Sequence, residues 1–558
     1  MDEKRRAARW RKRRIIYNND GDDALEARTG VEHDHDVAEA LMTRKTGELT
    51  DDFLNARSTP LAGSQVDSNW YCSCMAGLTF SHNTKLGGFI GKGIPQELVD
   101  KYGRDSLQVQ VDFSHENGME AFWSLRMNDV HDSFPMGSRR WTYGLAPFKR
   151  DHPEYMMGKP EDWEKYPDSP RHVWSALDFS FSEVRDHIFS LIEEVAQNYD
   201  VDGIGMELFK YFPYFRETLD WLPVEQQHMD LMTDLIRRIR KMADEVGEER
   251  GRPLLLAVHT PSSVEDARFV GLDLEKWLEE DLIDMLIPGL NESAMTYSFA
   301  EIVDVGHKYD VPVYPCIHWS FWQHWSYLEL GADKHRTYTS WIKSLYGGHP
   351  EDRGKPSYIL EINSWQGAGA VWRGAAMNLF NDGADGIYIF NPALWQESEA
   401  KHKTWQQIGD PATMTNKSRI YGVDRFEAES NLEGSRSLSN PHDGEARIEI
   451  PEGESVNLHF NVGEDLKQAN VSELRFGIHF WNLNSNDDIV VNLNGQLIDH
   501  LMPESHTRVS SEEQWLESEL TPSQVKKGNN EVEILLKSRS ESLEKTIVLD
   551  AVQLHVSP

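Results

Sequence analysis

Short β-branched and aromatic runs alternate with amphipathic helical stretches from about residue 12 to about residue 400. Eight runs read as strands: Arg14–Tyr17, Asn69–Cys72, Glu120–Arg126, Gly203–Leu208, Leu254–Val258, Ile283–Ile287, Val311–Ile317 and Gly386–Phe390. Between them, Val184, Ile188, Ile192 and Val195 recur at helical spacing, with Ser182 placed to cap that helix. Leu231, Leu235, Ile239 and Met242 mark a second helix ending near Gly247, and Arg373–Phe380 a third that stops at Asp382-Gly383. Alternating β and α elements give a parallel sheet, and eight such units give an α/β fold, a (β/α)8 TIM barrel. An open doubly wound sheet would need a glycine-rich phosphate turn after the first strand, and Asn18-Asn-Asp-Gly-Asp-Asp23 is not one.

The pattern changes after about residue 420. Val456, Leu458 and Phe460 alternate, as do Leu474, Phe476, Ile478 and Phe480, and the turns Asn494-Gly495 and Lys527-Gly-Asn-Asn530 separate further short strands. These read as an all-β sandwich of jelly-roll type. The expected organisation is a basic extension over residues 1–11, a barrel over 12–418 and a β-sandwich over 419–558, with the last two packed together.

Composition narrows the function. The net charge of −35 disfavours nucleic acid, which would be repelled by so acidic a chain. No apolar run is long enough for a membrane helix. The basic start, with Arg5-Arg6, lacks the apolar stretch of a signal peptide. Three cysteines offer no disulfide framework, so a cytoplasmic protein is expected. Eighteen tryptophans carry more information, because an indole face stacks on a sugar ring. The group Trp319, Trp322 and Trp325 has the look of a site lining. The expected partner is an oligosaccharide, with neither nucleic acid nor membrane, and no cofactor motif is present.

In a barrel of this kind, chemistry sits at the carboxyl ends of the strands. Polar residues crowd there: Asn18, Asn19, Asp20 and Asp23 after the first strand; Trp123, Arg126, Asn128, Asp129 and His131 on and after the third; Glu207 on the fourth. His259 ends the fifth, Asn291 and Glu292 follow the sixth, His318 and Trp319 follow the seventh, Glu361 and Trp365 lie in the loop beyond, and Asn391 ends the eighth. Glycosidic cleavage needs two carboxyl groups. Glu207, in an otherwise apolar strand whose surroundings would raise its carboxyl, is the candidate acid. Its alternative is a structural ion pair with Arg126 or Arg373. Glu361 and Asp129 are the candidate partners, with Glu292 behind them. The oxygens of the first loop are read as hydroxyl-binding or structural groups, since the EF-hand spacing is missing. His131, His259 and His318 come from three strands, but no metal-ligand spacing supports them as a metal set.

The runs Arg14-Ile-Ile-Tyr-Asn-Asn-Asp-Gly-Asp-Asp23, Phe122-Trp-Ser-Leu-Arg-Met-Asn-Asp129, Tyr199-Asp-Val-Asp-Gly-Ile-Gly-Met-Glu207 and Gly383-Ala-Asp-Gly-Ile-Tyr-Ile-Phe-Asn391 resemble the glycosyl hydrolase-like family 10 group. The resemblance covers roughly residues 12–400 and implies a TIM barrel with sugar-directed activity. In the broader clan of retaining barrel glycosidases a Glu ends strand four and another ends strand seven. Glu207 matches the first place, but Ile317-His318-Trp319 stands at the second. The C-terminal region is similar by pattern to carbohydrate-binding jelly rolls. The expected function is a glycoside hydrolase; the rivals are a non-catalytic carbohydrate-binding protein and a metal-dependent hydrolase or isomerase using the three histidines.

Overall fold

A computed structural model describes residues 2–21, 54, 57–89, 94–133, 145–166, 171, 173–208, 213–220, 222–289, 298–318, 363–390, 399–424, 448–503, 513–540 and 546–558. Eight parallel strands form the first body: β1 (Ile15–Asn19), β2 (Val66–Tyr71), β3 (Glu120–Arg126), β4 (Gly203–Glu207), β5 (Leu255–Thr260), β6 (Met285–Pro288), β7 (Cys316–His318) and β8 (Ile387–Phe390). They pair in the order β7-β8-β1-β2-β3-β4-β5-β6. A parallel bridge from Leu286 to Val313 joins the two ends. There the Leu286 amide donates to Pro312 O (3.1 Å) and the Tyr314 amide to Leu286 O (2.9 Å). The ring is a (β/α)8 barrel. The seventh strand, expected over Val311–Ile317, is shorter because Pro312 and Pro315 bring no N–H to the ladder.

Alternation along the strands decides what fills the lumen. A Cβ at Gly203 would lie 2.2 Å from the Phe122 ring, and one at Gly205 would lie 2.5 Å from Trp70. Trp70 stacks on Phe122 (4.7 Å between centroids), and Tyr388 meets Trp70 edge-on. The glycines of β4 therefore make room for rings from its neighbours, and the barrel floor is packed solid.

Six of the helices are α1 (Asp2–Arg9), α2 (Ser106–Glu116), α3 (Ser182–Asn198), α4 (Gln226–Arg250), α5 (Ala300–Lys308) and α6 (Asn363–Asn381). Two expected helix ends differ. Ser182 is already helical and makes no cap; its hydroxyl donates to Glu183, and Phe181 holds the capping position. The helix through Leu235 passes Gly247 and ends at Gly251, whose φ of 71° suits the left-handed turn. Gly247 serves close packing instead: a Cβ there would sit 3.2 Å from the backbone of Arg252.

The basic N-terminus packs as a plug. Arg5 Nε donates to Asp284 Oδ1 (2.7 Å), Arg9 Nη2 joins it (3.1 Å), and Arg240 Nη1 takes Oδ2 (2.9 Å). Arg13 forks onto Glu120 through Nε and Nη2 (2.6 and 2.8 Å). Burial opposes the charge on Asp284, but the three arginines hold its carboxyl below the ordinary range.

Eight further strands build two antiparallel sheets: β9 (Arg419–Asp424), β10 (Ile448–Ile450), β11 (Ser455–Val462), β12 (Glu473–Trp481), β13 (Asp488–Leu493), β14 (Glu513–Glu519), β15 (Gly528–Ser538) and β16 (Ile547–Ser557). One sheet runs β9-β16-β12-β14, with β10 also on β16; the other runs β11-β15-β13, and two-residue strands extend each, Met502–Pro503 on β14 and Gln496–Leu497 on β13. Buried Leu458 and Phe460 oppose buried Phe476 and Ile478, as the alternation requires for a β-sandwich. The sandwich rests on α6. A Cβ at Gly374 would lie 1.9 Å from Ile420 O, and one at Gly463 would lie 2.3 Å from Met377 O. No helix among the described residues is long and apolar enough to cross a membrane.

Candidate functional site

Strand alternation turns Ser124 and Arg126 of β3 and Glu207 of β4 to one side, where Asn18 of β1 meets them. Asn18 Nδ2 donates to Glu207 Oε1 (3.2 Å) and to Ser124 Oγ (3.2 Å), and the Ser124 hydroxyl donates to the same carboxylate oxygen. Arg126 Nε faces Glu207 Oε2 at 3.7 Å. Glu207 thus has polar company, Ser124 and Arg126 of β3 and Asn18 of β1, and its register partners in the barrel wall are Arg126 and His259. Of its two expected ionic partners only Arg126 is there. Arg373 lies instead at the barrel–sandwich junction, donating to Ser418 O (2.6 Å) and Gln407 Oε1 (3.0 Å).

Arg126 is the hub. Its Nη2 pairs with Asp20, its Nη1 with Asp129 Oδ2 (3.2 Å), and its Nε with Glu207. Carboxylates from the ends of β1, β3 and β4 converge on one buried guanidinium, and burial is outweighed by those three charges in raising its pKa. Asp129 is fully enclosed. Its Oδ1 accepts from the amides of Gly77 (2.6 Å) and His131 (3.0 Å), and its Oδ2 from His131 Nδ1 (2.8 Å) as well as Arg126. Burial pushes this carboxyl up, but His131 above all, then Arg126 and the Gly77 amide, hold it well below the ordinary range.

Gly77 is a contact the sequence reading did not single out. It sits at the tip of a small hairpin, Cys74–Ala76 against Thr79–Phe80, with φ of 57°. A Cβ there would fall 1.8 Å from Asp132 Oδ2. Lys149 is a second: wholly buried, its Nζ donates to Asp129 O (2.7 Å) and Asp132 Oδ1 (3.0 Å). A left-handed glycine in a Gly-Leu turn was a visible hint; nothing local marked Lys149.

Several expected sugar contacts have other duties. Asn128 donates to Leu177 O and Pro213 O (2.9 and 2.7 Å) and accepts from the Leu177 amide, pinning two loops. Trp123 is fully buried, its Nε1 on Ser73 Oγ (2.8 Å), beside Phe80 and His82. It points away from Ser124 and offers no face to a ligand. Asn19 accepts from the Gly21 amide (3.0 Å) and shapes the turn after β1. His259 is buried against Tyr388 and Phe390, with Nε2 donating to Gly289 O (3.1 Å), and burial holds its pKa well below the usual value. His131 is bonded to Asp129 and His259 to Gly289 O; among the described residues no group of three His, Cys, Asp or Glu side chains is arranged to hold a metal.

His318 ends β7 and Trp365 lies in the first turn of α6, but their side chains are not among those described. Glu361, Asp23, Asn291, Glu292, Trp319, Trp322, Trp325 and Asn391 fall outside the described residues.

No protein-family model matches the sequence, and no characterised relative does, so the likeness to the family 10 group rests on its motifs alone. Among solved structures the chain is similar to a cycloisomaltooligosaccharide glucanotransferase of Paenibacillus sp. (10% identity, TM-score 0.29, covering 98% of this chain and 57% of that one). It is also similar to a GH36 α-galactosidase of Geobacillus stearothermophilus (11%, TM-score 0.32, 98% and 56%). A third is a family 18 N-acetylglucosaminidase of Paenibacillus barengoltzii (12%, TM-score 0.27, 46% and 62%). The chain spans little more than half the length of these structures. Likeness at this level bears on neither reaction nor substrate.

Proposed function

We propose that the chain is a glycoside hydrolase acting on an oligosaccharide at the carboxyl-terminal mouth of the barrel, with Glu207 and Asp129 as its essential carboxyl groups. The observation that carries this reading is the convergence of Asp20, Asp129 and Glu207 on Arg126. Three carboxylates against Arg126 and His131 leave the cluster without excess positive charge. Such a place stabilises the cationic character that an anomeric carbon acquires as its glycosidic bond breaks. Hydrogen bonds from Asn18 and Ser124 aim the Glu207 carboxylate, so that little reorganisation is needed when charge develops.

Sugar release from a panel of plant and algal oligosaccharides tests the assignment. Glu207→Gln is expected to lose about 10³-fold in kcat on any substrate the wild type hydrolyses. Turnover by Glu207→Gln at the wild-type rate removes Glu207 from the mechanism. The complete burial of both side chains favours one rival, a carbohydrate-binding protein without turnover. Oligosaccharide binding by the wild type with no sugar released establishes that rival instead.

A further inference from the structure

We propose that His131, held by Asp129, is the group that passes a proton to the leaving oxygen at this mouth; the proposal rests on the hydrolase reading above. Asp129 itself is poorly suited to that task. Four donors occupy its two oxygens, and its side chain has no exposed surface. To give or take a proton it would have to break contacts that nothing nearby replaces. The neighbouring carboxylates are no more open: Glu207 has 0% and Asp20 8% of its side chain exposed, against 21% for His131. Among the described ionisable groups tied to this hub, the imidazole is the most exposed.

The geometry also settles which ring atom would act. His131 Nδ1 is bonded to Asp129 Oδ2 (2.8 Å), and the His131 backbone amide is bonded to Oδ1 of the same carboxylate (3.0 Å). The residue is therefore held at both ends. Proton exchange falls to Nε2, and a buried, charged Asp129 compensates the imidazolium when it forms. Imidazole is the side chain whose ordinary pKa lies near neutrality. The charged groups facing it from the described elements are Asp129 and Arg126, whose Nη1 lies 3.5 Å from Nδ1. Asp20 and Glu207 act through Arg126, and Lys149 and Asp132 lie behind Asp129.

In the step assigned, imidazolium Nε2 gives its proton to the glycosidic oxygen as the C1–O bond breaks, and the bonding pair leaves with that oxygen. Water forms the new bond to C1 and releases its proton to solvent, with the enclosed Glu207 carboxylate acting on the reacting centre by its charge alone. Solvent then returns a proton to the imidazole. One water is consumed, two hydroxyl products form, and the protein ends as it began.

His131→Asn, assayed on two substrates, separates a proton donor from a mere counter-ion. Loss of about 10²–10³-fold in kcat is expected on an oligosaccharide, with the basic limb of the pH profile removed. On a dinitrophenyl glycoside, whose leaving group needs no proton, the loss should stay within about five-fold. Equal losses on both substrates, or an unchanged pH profile, overturn the proposal while leaving the hydrolase reading in place. Should the wild type hydrolyse no glycoside, the hydrolase reading falls, and NMR titration of labelled histidines in the full chain still decides the role of His131. An imidazole that does not protonate between about pH 4 and 9, or that ignores Asp129→Asn, overturns the proposal. One that protonates and moves with Asp129→Asn upholds the Asp129–His131 coupling, while the leaving-group role falls with the hydrolase reading.

Discussion

At the closed end of the barrel Arg5, Arg9 and Arg240 surround Asp284; at the mouth Asp20, Asp129 and Glu207 surround Arg126. The ingredients match and the proportions are inverted. Three arginines converge on the one buried carboxylate of Asp284, with the more exposed Asp281 and Asp244 taking donors they have left, so both Asp284 oxygens are satisfied and the end is sealed. Carboxylates outnumber the cation around Arg126, so the mouth keeps negative charge that a reacting centre can use. An acidic chain can spread carboxylates anywhere on its surface; burying three of them against one arginine is costly unless each is held. The contrast separates a cluster built to stay shut from one with unspent capacity.

The largest expected effect comes from Arg126→Met. Three buried carboxylates would lose their shared counter-charge, and urea unfolding should show a loss of about 3–5 kcal/mol together with loss of activity. A variant as stable as wild type would mean the mouth does not depend on its hub. Arg5→Ala tests the other end and should cost less, about 1–2 kcal/mol, because Arg9 and Arg240 remain on Asp284. Its kcat should be unchanged. A marked fall in kcat would show that the two ends are coupled and would break the contrast.

Acid gives the most gradual effect. Burial lowers the pKa of His82, His187 and His555 to about 4 and holds that of His259 well below its usual value. Below about pH 6.5 the unfolded chain takes up protons that the folded one refuses, so stability falls as pH drops from there toward 4. The slope should approach about 1.4 kcal/mol per pH unit for each such histidine. The depressed carboxyls of Asp129 and Asp284 act lower down. Their contribution is present above the ordinary carboxylate range and is lost as pH falls through their folded values. Thermal melts across this range in wild type and His259→Phe would show the upper limb shrinking while the lower one stays.

The barrel was legible because its strands keep period two and its turns keep their glycines. Glu120–Arg126 was placed to the residue, and the strand ends named Glu207, Asp129 and Arg126 as neighbours. Facing was the harder part. Counting back by two from Arg126 puts Ser124 in the lumen and Trp123 outside it, so residue type alone misplaces Trp123 among the expected sugar contacts. Asn128 carries a typical sugar-binding side chain, but loops that return from Leu177 and Pro213 consume all of it. Lys149, from the short helix Pro147–Asp151, and Gly77, from a hairpin turn, both reach Asp129, and no period in a sequence records such a meeting.

The contact between Gly374 and the Ile420 carbonyl reaches beyond packing area. Two chains fastened main chain to main chain cannot swing on a tether, so the sandwich travels with α6 and with the strand that α6 feeds into the ring. Cutting the protein after β8 would strip the outer cover from that helix and leave bare glycine faces. The second body is thus less a detachable module than a buttress cast in one piece with the last turn of the barrel.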